Sequence, residues 1–211
     1  MLAATTLKDV DFDESLALVE TGAAFADLRP TTEYLEAHIP GALALVYEYG
    51  PGMASRARDC LPLSLPLVLM AGAEINLPNA AAALRGKGFT VLGHAPDALN
   101  EWVRRGRALA SIELVSGAAA PAGVLLDVAD PGAASTEGAH RIPIERLWTR
   151  VGEIGDGSPV VILAGYGVRA GLAVGMLERA GHHEIVVWRN RDSGVTPPPP
   201  PWRSKNPGPA R

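Results

Sequence analysis

Short, largely apolar runs alternate with amphipathic segments along most of the chain. Apolar runs bounded by Gly, Pro or Asp are typical of buried strands. Segments with apolar residues three or four positions apart, ending at glycine, are typical of helices. Strands that alternate with helices predict an α/β fold with parallel sheets covered on both faces. The predicted strands are 25–28, 67–70, 89–92, 124–128, 160–163 and 184–188, and the predicted helices are 11–22, 32–37, 77–85, 144–151 and 168–180.

The chain contains an internal repeat, because two of these strands lead into similar loops and helices. Each copy has an apolar run that breaks into a short loop and then enters a helix rich in Ala and Leu. The repeat predicts two domains of about 100 residues each, which is a common domain size. The equivalent positions are Ala71 and Ala164, Ala80 and Ala173, Leu84 and Leu177, and Gly88 and Gly181. The predicted boundaries are 1–108 and 109–195 for the domains, 104–123 for the linker and entry segment, and 196–211 for a Pro-rich tail.

The repeated loop resembles that of the rhodanese family, in which Cys-x-x-Gly-x-Arg lies between a buried strand and a helix. The position of the family's cysteine is held by Ala71 in the first copy and by Ala164 in the second. The second copy keeps the glycine and the arginine of the motif as Gly167 and Arg169, whereas the first copy keeps neither. The resemblance therefore covers the loop but not its nucleophile.

The segments upstream of the two loops show the same resemblance. Asp27-Leu28-Arg29 and His38-Ile39-Pro40-Gly41-Ala42 are similar to the family's Asp-x-Arg and Gly-His-Ile-Pro-Gly-Ala segments. In the second copy they correspond to Asp127, Ala129 in place of the arginine, Gly138-Ala139 and Ile142-Pro143, and His140 falls in the part that corresponds to His38. The resemblance covers roughly residues 5–195. It implies two rhodanese-like domains, each a mainly parallel sheet flanked by helices on both faces.

The composition is that of a globular protein and limits the possible partners. The formal net charge is -4, and basic and acidic residues are mixed along the chain, which argues against a nucleic-acid surface. The most apolar stretch, 61–73, contains two prolines and a serine and is too short to span a bilayer, so no membrane partner is predicted. The N-terminus has no basic-then-apolar signal pattern, and we expect a cytoplasmic location.

Sulfur transfer in the rhodanese family needs a thiolate in the loop, where backbone N–H groups and a helix N-terminus lower the thiol pKa. Alanine has no lone pair and no leaving group, so neither half-reaction can take place at Ala71 or Ala164. Cys60 is the one cysteine of the chain. The strand between Cys60 and Ala71 spans about 17 Å. We therefore predict a small, partly buried structural residue near the opposite edge of the sheet, and we assign no catalytic residue.

The second loop keeps features of an anion-binding site. Gly165 and Gly167 permit the positive φ that a tight arc needs, and Arg169 can place a guanidinium at its rim. Two interpretations stay open: the loop binds a small oxyanion or an acidic side chain, or it is a relic whose arginine forms a surface ion pair. In the first copy Glu74 and Asn76 take the places of the glycine and the arginine, and Glu74 disfavours an anion. The candidate anion-binding residues are Ala164, Gly165, Tyr166, Gly167, Val168, Arg169 and Ala170.

The remaining titratable residues favour structural roles. Asp27 and Asp127 each end a strand, where a carboxylate that accepts backbone hydrogen bonds fixes the turn; a general base is the alternative. His38 is assigned to the structural turn that contains it. His182 and His183 are adjacent and cannot face one metal ion, so no metal site and no cofactor are predicted. The tail at 196–211 is either a docking peptide for an aromatic-lined groove or a disordered end.

Three functions compete on this pattern. The first is a non-catalytic, tandem rhodanese-like protein that binds an unknown protein partner or a small anion, and the missing nucleophiles favour it. The second is an active thiosulfate sulfurtransferase-type enzyme that transfers sulfane sulfur, as the resemblance alone implies. The third is an accessory subunit that docks to an enzyme of sulfur metabolism or to a sulfur carrier.

Overall fold

Two parallel sheets, one from each half of the chain, form the framework of the molecule. In the computed structural model, the described residues are 7–47, 50–129, 136–155, 159–163 and 167–190. Every pairing between neighbouring strands in both sheets is parallel. The predicted fold class, α/β with parallel sheets flanked by helices, is confirmed.

The first half contains a four-stranded sheet in the order β2-β1-β3-β4. The strands β1 and β3 lie in the middle and are buried along their whole length, which explains their apolar runs. The elements are α1 (Phe12–Glu20), β1 (Ala24–Asp27), α2 (Thr31–Glu36), β2 (Leu43–Ala44), α3 (Met53–Cys60), β3 (Leu67–Met70), α4 (Leu77–Gly86), β4 (Val91–His94) and α5 (Ala98–Arg104).

The second half contains a five-stranded sheet in the order β5-β9-β8-β6-β7. The elements are β5 (Glu113–Gly117), β6 (Val124–Asp127), β7 (His140–Arg141), α6 (Ile144–Arg150), β8 (Val160–Leu163), α7 (Val168–Arg179) and β9 (Ile185–Asn190). Apart from β5 at its outer edge, this sheet repeats the order of the first, since β6 and β8 take the central places of β1 and β3.

The strand β5 corrects the predicted linker at 104–123. Glu113–Gly117 pairs in register with β9 and adds an edge strand to the second sheet. The indole N–H of Trp188 also donates to the Gly117 carbonyl at 3.0 Å. The strand was missed because an exposed edge strand is held by backbone hydrogen bonds and needs no apolar face. The strand predicted at 89–92 lies at 91–94, and α3, α5, β2 and β7 were not predicted.

Helix α7 packs against the first half as well as against its own sheet. It is rich in Gly, Ala and apolar residues and is buried on nearly all sides, as expected of a helix without a polar face. Gly175 allows the closest approach, since an added Cβ atom would lie 2.3 Å from the carbonyl oxygen of Ala42. Buried apolar residues of the two halves consequently form one continuous core. Each half has its own sheet, but the two share this core.

Candidate functional site

Open parallel α/β sheets bind ligands in the crevice outside the carboxyl ends of the strands, at the point where the strand order reverses. In the first sheet the order reverses between β1 and β3, and in the second it reverses between β6 and β8. The two loops singled out by the repeat follow β3 and β8. The strand ends from which these loops leave, Met70 and Leu163, therefore lie next to the two reversal points.

A cavity of about 700 Å³ lies at the reversal point of the first sheet. Its walls come from the loop after β1, from the chain beyond β2 and from the loop after β3. Tyr47 was not picked out from the sequence, although it follows β2, whose carboxyl end meets that of β1 at this edge. The lining residues are Leu28, Arg29, Pro30, Glu33, Tyr47, Gly50, Gly72, Ala73, Glu74 and Ile75.

Asp27 and Arg29 form an ion pair at the end of β1, next to this cavity. Both carboxylate oxygens of the fully buried Asp27 accept hydrogen bonds from the Arg29 side chain, at 2.7 to 3.1 Å. Asp27 also accepts the Arg29 backbone N–H, and the guanidinium donates to the Ala37 carbonyl at 2.8 Å. Because its acceptor oxygens are occupied, Asp27 fixes the turn after β1, as predicted, and is poorly placed to act as a general base.

The equivalent position in the second half is held differently. Asp127 accepts the backbone N–H of Ala129 at 2.9 Å, but alanine brings no guanidinium to the other carboxylate oxygen. Arg141 comes instead from the neighbouring strand β7, where it pairs in register with Asp127, and its Nε atom lies 3.8 Å from Oδ2. No hydrogen bond to Oδ2 exists within the described part of the chain. A cross-strand arginine thus replaces the local one, with looser geometry.

The same register corrects the predicted place of His140. His140 pairs with Leu126, as Leu43 pairs with Ala26 in the first sheet. His140 is therefore the counterpart of Leu43 and not of His38. A polar residue thus stands at a strand position that is apolar in the first half, directly after the Gly-Ala pair that the two motifs share.

Only part of the predicted anion-binding loop lies within the described residues. Gly167 is the N-cap of α7 with φ of +72°, so it takes the left-handed conformation that favours glycine. Val168 and Ala170 are buried, and Arg169 is half-buried in the first turn of the helix. Ala164, Gly165 and Tyr166 lie outside the described residues, as does the tail at 196–211. The positive φ expected at Gly167 is confirmed.

Cys60 is a buried residue at the end of α3, ahead of the strand that leads to the first loop. Burial, followed by the negative charges of Glu145 and Asp59, raises the pKa of its thiol to about 12, while Arg56 and Arg169 act weakly in the opposite direction. The structural role predicted for Cys60 agrees with this environment. An effect of Arg169 on this thiol was not foreseen, because the two residues are far apart in the sequence.

His38 forms a buried contact between the two halves. Its Nε2 atom lies 3.0 Å from Glu178 Oε1 on α7, and the other carboxylate oxygen of Glu178 accepts the backbone N–H of Gly41 at 2.7 Å. The ring also stacks on Tyr34, with centroids 4.1 Å apart, and its Nδ1 atom lies 2.8 Å from the Tyr34 carbonyl oxygen. His38 has the structural role predicted for it. Its partner 140 residues away could not be recognised from the sequence.

Among the described residues, no group of three or more His, Cys, Asp or Glu side chains could hold a metal ion. Within the same residues, no helix is both long and apolar enough to cross a membrane.

Comparisons with known proteins return only distant structural similarity. No protein-family model matches the chain, and no curated protein matches it. Among solved structures, SseA from Escherichia coli, described as a 3-mercaptopyruvate sulfotransferase with the "rhodanese" fold, is 17% identical over 88% of this chain and 98% of that chain, with a TM-score of 0.38. Thiosulfate sulfurtransferase from Pseudomonas aeruginosa is 16% identical over 90% of this chain and 43% of that chain, with a TM-score of 0.38.

A third structure matches about one half of the chain. The Alr3790 protein from Anabaena sp. is 23% identical over 49% of this chain and 82% of that chain, with a TM-score of 0.42. The structural neighbours thus include rhodanese-fold sulfurtransferases. Because one fold can support many activities, a likeness of this degree says nothing about the chemistry of the loops in this chain.

Proposed function

We propose that this protein is a non-catalytic, rhodanese-like binding or accessory protein linked to sulfur metabolism, and that it binds a small oxyanion at the loop of its second half. One observation carries the proposal: the chain has a single thiol, Cys60, which is buried and has a pKa of about 12. The two loops that would hold a nucleophile in the rhodanese family have Ala71 and Ala164.

The reactivity of Cys60 follows from its pKa. Only the thiolate attacks a sulfur donor, and at pH 7 a thiol with this pKa is ionised to the extent of about one part in 100,000. The side chain is also 3% exposed, so a sulfur donor cannot reach it without a rearrangement of α3. Neither condition for sulfur transfer is met at this residue.

The start of α7 supports anion binding at the second loop. The first N–H groups of a helix have no partner within the helix, and the helix dipole adds partial positive charge there. Gly167 bends the chain at this point, and Arg169 brings a full positive charge into the first turn. These features suit a sulfate-like or thiosulfate-like anion that is held but not cleaved.

The first experiment is a thiosulfate:cyanide sulfurtransferase assay on the wild type and on Cys60→Ser. We expect no turnover above the buffer blank for either protein. Turnover that persists in Cys60→Ser would contradict the proposal, since no thiol would remain to carry the sulfur. Turnover that disappears in the variant would instead make Cys60 the nucleophile and support the alternative, a thiosulfate sulfurtransferase-type enzyme.

The second experiment titrates sulfate and thiosulfate against the wild type, Arg169→Ala and the control Arg146→Ala. Arg146 is an exposed arginine on α6 and controls for the loss of one positive charge. A lost charge-assisted contact typically costs about 1.5–3 kcal/mol, so Arg169→Ala is expected to weaken binding roughly 10- to 100-fold. Equal affinities of the wild type and Arg169→Ala would show that the retained motif residues are relics.

A further inference from the structure

The cavity of the first half carries an excess of negative charge. Among the described residues that line it, Arg29 is the one cation, and the buried carboxylate of Asp27 balances that charge at 2.7 Å. Glu33 and Glu74 also line the cavity and are exposed to solvent. Neither carboxylate forms an ion pair within the part of the chain that the structure describes. Two unbalanced carboxylates therefore face the same space.

The other walls of the cavity are suited to the apolar part of a ligand. Pro30 and Ile75 supply aliphatic surface, and Tyr47 supplies an aromatic ring. The Tyr47 hydroxyl accepts a hydrogen bond from the Asn79 side-chain amide at 2.9 Å, which ties the ring to α4. A cation beside a tyrosine ring gains a cation–π interaction as well as attraction to the carboxylates.

We infer that this cavity binds a small organic cation, namely a guanidinium or ammonium group on a short apolar body. The volume of about 700 Å³ lies within the range of roughly 300–1,000 Å³ that is usual for small-molecule sites. The cavity also lies at the reversal point of the strand order, where parallel sheets bind their ligands. This site differs from the proposed oxyanion site in location and in the sign of its ligand's charge, and it does not depend on that proposal.

Two probes of the same shape but different charge test the inference on the full chain. Nα-acetyl-arginine N-methylamide carries the guanidinium, whereas the citrulline analogue replaces it with a neutral urea group. Calorimetric titration is expected to show binding of the arginine probe at low salt, at least about five-fold weaker binding of the citrulline probe, and weaker arginine binding as the salt concentration rises. Equal affinity for the two probes would overturn the inference.

Substitutions on the cavity wall locate the binding. Glu33→Gln and Glu74→Gln are each expected to weaken binding of the arginine probe by about two- to five-fold, as for exposed ion pairs, and the double variant should no longer discriminate between the probes. Glu36→Gln is the matched control, because Glu36 lies on the same helix as Glu33 and is exposed but does not line the cavity. A loss in Glu36→Gln as large as in Glu33→Gln would show nonspecific attraction and would overturn the assignment.

Two further comparisons identify the part played by the ring and the source of the cation. Tyr47→Phe should keep the affinity for the arginine probe, because it keeps the ring, and Tyr47→Leu should reduce it. Equal effects of the two variants would exclude the ring from the site.

Agmatine, which has no peptide bond, is expected to bind as well as a capped Gly-Arg-Gly peptide. Binding of the peptide alone would replace the small cation by an arginine side chain of a protein partner and would overturn the inference as stated.

Discussion

Replacement of Glu178 by alanine is expected to destabilise the whole molecule, because this residue joins the two halves. The carboxylate reaches from α7 to His38 and to the backbone N–H of Gly41, at 3.0 and 2.7 Å. The histidine and glutamate side chains are 0% and 7% exposed. Removing one partner of a buried pair leaves the other without its hydrogen bond, which typically costs about 3–5 kcal/mol. For a chain of this size the expected fall in Tm is roughly 6–20 °C.

The hydrogen-bond geometry also predicts which substitution is tolerated. The Tyr34 carbonyl oxygen can only accept, so the Nδ1 atom of His38 donates to it, which leaves the Nε2 atom to face Glu178. In Glu178→Gln the side-chain oxygen can still accept from Gly41, and the amide N–H can donate to a neutral His38 ring. We expect this variant to lose about 0.5–1.5 kcal/mol, much less than Glu178→Ala.

Urea unfolding of the wild type and of both variants measures these differences. Glu184→Ala is the control, because Glu184 is an exposed glutamate directly ahead of β9 and should change stability by less than about 0.5 kcal/mol. A double-mutant cycle with His38→Ala should show a coupling energy of at least about 1 kcal/mol between the two residues. Stability of Glu178→Ala within about 0.5 kcal/mol of the wild type would refute the reasoning.

Three other outcomes are expected. Because burial raises the pKa of the Cys60 thiol from 9.0 to about 12, the unfolded chain ionises first, and stability should fall as the pH rises from about 9 towards 12. Burial also raises the pKa of Tyr34 well above its usual 10.0, so Cys60→Ser should lose the fall between pH 9 and 10 and keep a shallower one above pH 10; urea midpoints that fall equally in both proteins would contradict this. Fragments 1–108 and 109–195, expressed separately, should unfold less cooperatively than the whole chain because α7 completes a shared core; two transitions as sharp and as stable as that of the intact protein would contradict this. In a Cys60→Ser background, the thiol of Ala164→Cys should have a lower pKa than the thiol of Ala71→Cys, because Glu74 opposes an anion in the first loop. The thiolate absorbance, followed as a function of pH, measures both pKa values. An unshifted or raised pKa at position 164 would be evidence against the oxyanion site.

The pattern of apolar runs was sufficient to locate the central strands of both sheets. Residues such as Val68 and Ile162 are buried on both faces of a parallel sheet, so their strands must be almost continuously apolar and can be recognised locally. The alanines of the two loops are equally plain in the sequence. That neither loop contains a cysteine follows from the sequence alone, because it depends only on the identity of the side chains.

Features that depend on distant partners were decided only by the tertiary structure. The edge strand β5 gains its structure from backbone hydrogen bonds to β9, which leave no apolar pattern in the sequence. In the sequence, Glu178 has the pattern of a solvent-exposed helix residue. In the structure, α7 packs on the first half and buries Glu178 against His38. The cavity between Glu33, Tyr47 and Glu74 exists because three strands end at one edge of the first sheet. The identity of its side chains determines the chemistry that each loop can support. Which charged groups lie close together depends instead on long-range packing, because electrostatic and hydrogen-bonding interactions depend on distance in space and not on distance along the chain.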